Sequence, residues 1–137
     1  MAYVTHCKVR FQHCDPAAIV FYPRYFEMIN SAVEDYFADV VEADFNSMHV
    51  EGHVGVPTVS LETQFHAPSR LGEVLSFSVA PTAVGATSLT LAIHAHCGDH
   101  HRVSCRLTLV YVYMTTGRPV PWPDPMRQRF VTEPEKG

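Results

Sequence analysis

Five segments of the chain alternate apolar and polar residues, which is typical of strands that bury one face. They span residues 4–11, 59–66, 75–80, 89–97 and 103–113. Turn-forming residues follow two of them, with Pro68 after the second segment and Gly117 after the last. Because each segment has a single apolar face, the pattern predicts an antiparallel sheet of about five strands with one face on the core.

A hairpin joins the fourth and fifth segments around Gly98, Asp99, His100 and His101. The apolar residues of both strands must stay on one face of the sheet. We therefore expect the hairpin loop to contain an odd number of residues.

One segment instead repeats its apolar residues at helical spacing. These residues are Tyr25, Phe26, Ile29, Ala32, Val33, Tyr36, Phe37, Val40 and Val41. Pro23 suits the first turn of such a helix. One amphipathic helix and a one-sided antiparallel sheet predict an α+β architecture in which the sheet wraps its apolar face around the helix.

A length of 137 residues suits one domain. We expect residues 1–137 to form it, with 118–137 as an extended arm and frayed tail. The arm is indicated by prolines at alternate positions from Pro119 to Pro125.

Composition excludes several classes of protein. Hydrophobic residues make up 47% and charged residues 18%, which excludes a disordered chain. The longest apolar runs, 17–22 and 109–114, are far shorter than the roughly 20 residues needed to span a bilayer. The start of the chain does not resemble a signal peptide, and the four cysteines have no CxxC spacing. We therefore expect reduced thiols, no membrane association and a cytoplasmic location.

The net charge of −4 is unfavourable for binding nucleic acid. Lys8 and Lys136 lie near opposite ends, so the sequence has no basic stripe for a phosphate backbone. We expect no nucleic-acid binding.

The strongest chemical signal lies in residues 11–26, FQHCDPAAIVFYPRYF, just before the helix. Pro16 disfavours helical dihedral angles at Asp15, so this carboxylate should lie on an extended segment ahead of the helix. A helix N-terminus offers unpaired N–H groups that can hold a polarised carbonyl oxygen. The alternative is that Asp15 only caps a turn or the helix.

The same segment resembles the active-site signature of hotdog-fold acyl-CoA thioesterases, in particular the 4-hydroxybenzoyl-CoA thioesterase branch. The residues that carry the resemblance are Phe11, Cys14, Asp15, Pro16, Ala17, Ile19, Val20, Tyr22, Pro23 and Tyr25. A weaker match follows over residues 54–60, VGVPTVS.

The resemblance implies a curved sheet around a central helix, dimers that pair edge to edge, and often tetramers. It implies that Asp15 is the catalytic carboxylate and that the N–H of Tyr22 polarises the thioester carbonyl. No cofactor is expected beyond the coenzyme A of the substrate. As hypotheses, Asn30, Thr58 and Ser60 contribute to the acyl pocket.

Three positions depart from the family pattern. His13 stands two residues before the carboxylate, where relatives usually have an acidic or small residue, and Ala18 replaces a loop glycine. Residues 83–88 lack the basic cluster that contacts coenzyme A phosphates in the closest branch. Nucleotide contacts should therefore come from elsewhere in the chain.

The resemblance predicts hydrolysis of an acyl-CoA, with an aromatic acyl-CoA such as 4-hydroxybenzoyl-CoA as one candidate. A hotdog hydratase or dehydratase would need a histidine and carboxylate pair, and His13 keeps that alternative open. The third alternative is a non-catalytic acyl-CoA-binding protein.

A second constellation contains His94, His96, His100 and His101 near Asp99. It could form a metal site. Strand alternation places His94 and His96 on the polar face of the sheet, so we favour a solvated face and turn and expect no metal. Cys14 lacks a clearly placed base and is interpreted as a small buried residue rather than a nucleophile.

Overall fold

The computed structural model describes residues 2–131. In chain order its elements are β1 (Tyr3–Lys8), α1 (Pro23–Tyr36), β2 (Val54–Gly55), β3 (Thr58–Phe65), β4 (Val74–Val84), β5 (Ser88–Cys97), β6 (His100–Val110), β7 (Val112–Tyr113), β8 (Arg118–Pro119) and α2 (Asp124–Val131). Five strands form an antiparallel sheet in the order β1-β4-β5-β6-β3. The predicted α+β architecture, a five-stranded sheet with one long helix, is confirmed.

Helix α1 begins at Pro23, whose missing N–H costs nothing at this position. Its buried face consists of Tyr25, Met28, Ile29, Ala32, Val33 and Tyr36. The helical path continues as a π-helical turn, Phe37–Val41, and ends at Glu42 with a left-handed φ of 62°. The predicted long helix is therefore confirmed, and its apolar side packs on the sheet.

The first strand ends earlier than the alternation indicates. Phe11 lies in a 3-10 turn, Phe11–His13, and is 83% exposed. The N–H of Arg10 donates to Nδ1 of His13, which turns the chain away from the sheet. The apolar residue at position 11 is thus not part of the core.

The hairpin between β5 and β6 has a loop of two residues, Gly98 and Asp99, so the expected odd number is wrong. A β-bulge restores the register, because Ala95 pairs with Val103 while His96 pairs with His101. Arg102 is the extra residue of the bulge, and its guanidinium forms an ion pair of 2.8 Å with Glu73. Hydrogen bonding from Arg102 lowers the pKa of Glu73 to about 2.

Strand β3 is an edge of the sheet, and its apolar side chains remain open within one chain. Val59, Leu61 and Phe65 are 61%, 45% and 46% exposed. Helix α1 lies nearest to β1 and β4, at the other edge of the sheet. Rings from the start of α1 reach β3 at Phe65, whereas Val59 and Leu61 stay uncovered.

The end of the described chain is not an extended arm throughout. Residues Asp124–Val131 form α2, which corrects the expectation for 118–137 in this part, while 132–137 lie outside the described residues. Met126 and Phe130, four positions apart, form the buried face of α2, and Trp122 is buried just ahead of the helix. The ring of Phe130 packs against Phe37 of the π-helical turn, with centroids 6.0 Å apart.

A three-stranded sheet, β2-β7-β8, lies beside the main one. Within residues 2–131 no helix combines the length and the apolar character needed to cross a membrane. The extent of the domain over 1–137 stays a prediction.

Candidate active site

The loop before α1 is a tight hairpin held by its own backbone. The N–H of Asp15 donates to the carbonyl of Ile19 at 3.0 Å, and the N–H of Phe21 donates to the carbonyl of His13 at 2.9 Å. Cys14 and Val20 form an antiparallel bridge between these two bonds. The loop therefore holds Asp15 and the start of the helix in a fixed relation.

Residues 69–71 fasten this hairpin to the rest of the molecule. The carbonyl of Ser69 accepts the N–H of Val20 at 2.8 Å, and the N–H of Leu71 donates to the carbonyl of Ala18 at 3.1 Å. Ser69 is fully buried, and its Oγ accepts a 3.0 Å hydrogen bond from the hydroxyl of Tyr25. No sequence pattern marks Ser69, which stands in a segment with the composition of an exposed turn.

Ala18 occupies the left-handed region, with φ of 63°. Its N–H donates to the carbonyl of Asp15 at 2.9 Å and closes the turn at the tip of the hairpin. A residue with a Cβ is strained here by roughly 1–2 kcal/mol. The loop thus does require positive φ at Ala18, the position where the sequence resemblance implies a glycine.

Asp15 is half-buried on the extended segment ahead of the helix. Its Oδ1 accepts the N–H of Ala17 at 2.8 Å, so the carboxylate does cap a turn. It does not cap α1, whose N-cap residue is Tyr22 and has no side-chain cap. The other oxygen, Oδ2, accepts no hydrogen bond from residues 2–131 and is available to a ligand.

Tyr22 stands at the N-cap position of α1. Within residues 2–131 no group accepts its N–H, and Pro23 contributes no N–H of its own. The Tyr22 ring packs edge-on against Phe65 with centroids 6.1 Å apart. A cavity of about 290 Å³ lies beside these rings, lined by Val20, Tyr22, Tyr25, Phe65, His66, Ala67 and Pro68.

His13 is buried at the base of the hairpin. Its Nδ1 accepts the N–H of Arg10 at 2.8 Å, so the proton of the neutral ring sits on Nε2. Burial lowers the pKa of His13; the charge of Glu27 opposes this, the charges of Arg10 and Arg24 add to it, and the net effect is a lowered pKa. His13 is therefore a neutral residue that holds the loop, and it makes no hydrogen bond with Asp15 within the described chain.

The three residues expected to line the acyl pocket lie on two elements. Asn30 is exposed on α1, one turn beyond Phe26 on the same helix face. The Phe26 ring packs edge-on against Phe65, with ring centroids 6.2 Å apart. Thr58 and Ser60 are exposed on β3.

A register shift between Thr58 and Ser60 turns their side chains to opposite faces of the sheet. Thr58 pairs with Leu109, which is buried on the helix side, whereas Ser60 pairs with Thr108 on the outer face. Of the two, Thr58 shares the helix-side face with Phe65.

Within one chain the loop and Thr58 are far apart. Tyr22 lies at the Phe65 end of β3, and Thr58 is the first residue of that strand, seven residues away. At a rise of about 3.3 Å per residue the separation along the strand is about 23 Å. One chain thus brings Asp15, Tyr22 and the start of α1 together but leaves Thr58 apart from them.

The histidine cluster does not consist of the residues expected from the sequence. His66 joins His94, His96 and His101, whereas His100 stays exposed at the hairpin. Nδ1 of His94 is 3.1 Å from Nε2 of His101, and the rings of His96 and His101 stack with centroids 4.7 Å apart.

Burial lowers the pKa of His94, and the neighbouring histidines lower it further. Across residues 2–131, no group of three or more His, Cys, Asp or Glu side chains is arranged to hold a metal ion.

The turn at residues 83–88, which has no basic residue of its own, receives one from α2. Nη1 of Arg127 donates to the carbonyl of Gly85 at 2.7 Å. The sequence could not reveal this guanidinium, because it depends on α2 folding back over the sheet.

Comparison with known proteins identifies the family. The sequence model of the thioesterase-like superfamily matches residues 9–130. The chain belongs to this superfamily. The resemblance inferred from the loop signature is confirmed.

One curated relative shares part of the sequence. Over 70 residues the chain is 33% identical to the 4-hydroxybenzoyl-CoA thioesterase of Pseudomonas sp. (strain CBS-3). The aligned segment spans 50% of this chain and 50% of that relative, so the match extends over about half the length of each.

Solved structures agree in fold over nearly the whole chain. A 1,4-dihydroxy-2-naphthoyl-CoA thioesterase from Synechocystis superposes with a TM-score of 0.86 at 16% identity, covering 95% of this chain and 96% of that one. A thioesterase-superfamily protein from Jannaschia sp. CCS1 gives a TM-score of 0.87 at 22% identity, covering 94% and 90%. The fold of this member of the superfamily is therefore the hotdog fold.

Proposed function

We propose that this protein is a thioesterase that hydrolyses an acyl-CoA to a free acid and coenzyme A. One observation carries the proposal. The same loop holds both Oδ2 of Asp15 and the N–H of Tyr22, and neither group has a hydrogen-bond partner within residues 2–131. Membership in the thioesterase-like superfamily supports the same reaction.

In the proposed reaction the thioester carbonyl accepts the N–H of Tyr22. That N–H and the positive end of the α1 dipole stabilise the negative charge that develops on the oxygen. Asp15 either attacks the carbonyl carbon to form an acyl anhydride, which water then cleaves, or removes a proton from the attacking water.

In both routes a carbon–oxygen bond forms and the carbon–sulfur bond breaks. The leaving thiolate takes up a proton, and its low basicity means that it departs without strong acid assistance. No cofactor takes part in this scheme.

We propose further that two copies pair through β3. Val59, Leu61 and Phe65 form an exposed apolar row on this edge, and burying that row in a dimer is favourable. A full antiparallel overlap about a two-fold axis would set Thr58 of one copy opposite Phe65 of the other. Thr58 would then lie beside the Tyr22 of the second copy, so the pairing supplies the residue that a single chain leaves about 23 Å away. Two such dimers could assemble into the tetramer that the sequence resemblance implies.

The hydratase alternative needs a histidine that exchanges a proton in concert with a carboxylate. Nδ1 of His13 is occupied by the N–H of Arg10, and no hydrogen bond joins His13 to Asp15 within residues 2–131. Hydrolysis is therefore the better supported of the two reactions.

The acyl group is proposed to be aromatic, with 4-hydroxybenzoyl-CoA as the first substrate to assay, on the basis of the partial match to the Pseudomonas enzyme. The four cysteines are free thiols, which supports the proposed cytoplasmic location.

The test of the reaction is the variant Asp15→Asn. The amide oxygen can still accept the N–H of Ala17, so the turn should survive, whereas nucleophilic or basic function is lost. We expect release of coenzyme A to fall by at least about 100-fold while circular dichroism is unchanged. Wild-type turnover in a folded Asp15→Asn protein would remove Asp15 from the mechanism. Tight binding of acyl-CoA by wild type without turnover would instead identify a binding protein.

The test of the assembly is Leu61→Lys, which places two lysines near the proposed two-fold axis. We expect light scattering to report a monomer and the assay to report loss of turnover. Val4→Lys is the matched control, because Val4 is 48% exposed on β1 at the opposite edge of the sheet. Equal assembly of both variants would exclude pairing through β3.

A further inference from the structure

A second cavity, of about 380 Å³, lies at the end of β3 away from Tyr22. Its lining consists of Phe45, His49, Gly55, Val56, Pro57, Val112, Met114 and Gly117. All of these are uncharged and apolar in character except His49. A cavity of this size and chemistry suits a small, mainly apolar ligand with one polar contact.

Gly55 keeps the cavity open. A Cβ at this position would lie 2.7 Å from Sδ of Met114 and 3.1 Å from Nε2 of His49, so any side chain would displace one of them. Gly55 has no positive φ, so a side chain here would be opposed only by the Met114 and His49 side chains, which line the cavity.

His49 presents a hydrogen-bond acceptor at the cavity. Its Nδ1 is 2.8 Å from the carbonyl oxygen of Phe45. A carbonyl can only accept, so the proton of the neutral ring is on Nδ1 and Nε2 carries a bare lone pair. His49 is exposed, and its Nε2 is open to solvent. Within residues 2–131 no donor satisfies Nε2, which lies 3.1 Å from the position that a Cβ at Gly55 would take.

The cavity adjoins the start of β3, which the proposed dimer places next to the Asp15 loop of the second copy. Pro57 lines it and immediately precedes Thr58. If Thr58 lies beside the Tyr22 of a second copy, an acyl group whose carbonyl sits at that Tyr22 can extend past Thr58 into this cavity.

We propose that this cavity receives the far end of the acyl group and that His49 selects acyl groups ending in a hydroxyl. The inference rests on the proposed thioesterase function and its dimer. The hydroxyl donates to Nε2 of His49, while the rest of the group contacts Phe45, Val56 and Met114. A terminal carboxylate is disfavoured, because none of the lining residues carries a permanent positive charge to pair with it.

Two substitutions at His49 isolate the acceptor. In His49→Asn the side-chain amide can still donate to the carbonyl of Phe45, but nothing remains at the position of Nε2. In His49→Gln the longer amide restores an acceptor oxygen near that position.

The measurement is kcat/KM for two substrate pairs that differ by one hydroxyl. Benzoyl-CoA with 4-hydroxybenzoyl-CoA tests an aromatic hydroxyl, and hexanoyl-CoA with 6-hydroxyhexanoyl-CoA tests an aliphatic one. Wild type should prefer the hydroxylated member of one pair. His49→Asn should reduce that preference by about three- to tenfold, the range expected for one neutral hydrogen bond. His49→Gln should retain most of it.

A preference that His49→Asn leaves unchanged, or no preference in wild type, would overturn the inference. If wild type hydrolyses none of the four, the proposed function fails for these acyl groups, and the site is then judged by NMR titration with phenol and 1-butanol. Binding at the resonances of this cavity that His49→Asn weakens severalfold would sustain His49 as the acceptor. Binding that is absent, or equal in the two proteins, would exclude it.

Discussion

The hydroxyl of Tyr25, in the first turn of α1, donates a 3.0 Å hydrogen bond to Oγ of Ser69, and both side chains are buried. The backbone of Ser69 also accepts the N–H of Val20 at 2.8 Å. A single residue far along the chain therefore ties the helix to the hairpin that carries Asp15.

Removing one partner of this bond should destabilise the protein. In Tyr25→Phe the Oγ of Ser69 is left buried without its donor, and we expect the free energy of unfolding to fall by about 1–3 kcal/mol. Urea denaturation of Tyr25→Phe, Ser69→Ala and the double variant measures the coupling. The double variant should cost clearly less than the sum of the two single variants. Strict additivity would show that the two hydroxyls do not interact.

The strain at Ala18 should be relieved by glycine. Its φ of 63° is unfavourable for any residue with a Cβ, so Ala18→Gly should raise the unfolding free energy by about 0.5–1 kcal/mol after the entropy of the unfolded chain is counted. Ala17→Gly is the matched control, because Ala17 has no positive φ and should lose stability. Thermal melting of the two variants should therefore shift in opposite directions. A lower melting temperature for Ala18→Gly would contradict the strain.

The histidine cluster should make the fold sensitive to acid. Burial and the adjacent His66, His96 and His101 lower the pKa of His94, so the unfolded chain binds a proton more readily than the folded one. Stability from this residue is therefore present above pH 6.5, the ordinary value, and is lost as the pH falls below it. His94→Gln should lose less stability than wild type between pH 7.5 and pH 5 in urea denaturation. His100→Gln, at the exposed hairpin, should keep the wild-type pH profile.

Metal removal should not affect turnover. The proposed reaction uses the carboxylate of Asp15, the N–H of Tyr22 and the helix dipole, none of which depends on a cation. Treatment with a strong chelator followed by dialysis should leave coenzyme A release unchanged. Stoichiometric zinc that survives dialysis, with activity lost on chelation and restored by added metal, would contradict both this expectation and the sufficiency of Asp15 and Tyr22.

The sequence by itself determined the main elements and the reacting loop. Helix α1 and the strands of the main sheet follow from apolar spacing, which is a local property of each segment. The position of Asp15 ahead of the helix follows equally locally, because Pro16 restricts its backbone and Pro23 starts the helix.

Tertiary structure decided how the strands pair in register, which side chains cluster and where cavities remain. Four features depend on pairings between distant segments. They are the bulge at Arg102, the opposite facing of the Thr58 and Ser60 side chains, the presence of His66 in the histidine cluster, and the cavity at His49. Helix α2 likewise depends on packing, because its buried residues Met126 and Phe130 cover apolar surface such as the Phe37 ring. Periodicity records which face of a segment is apolar, whereas the partner of that face is chosen by packing across the whole chain.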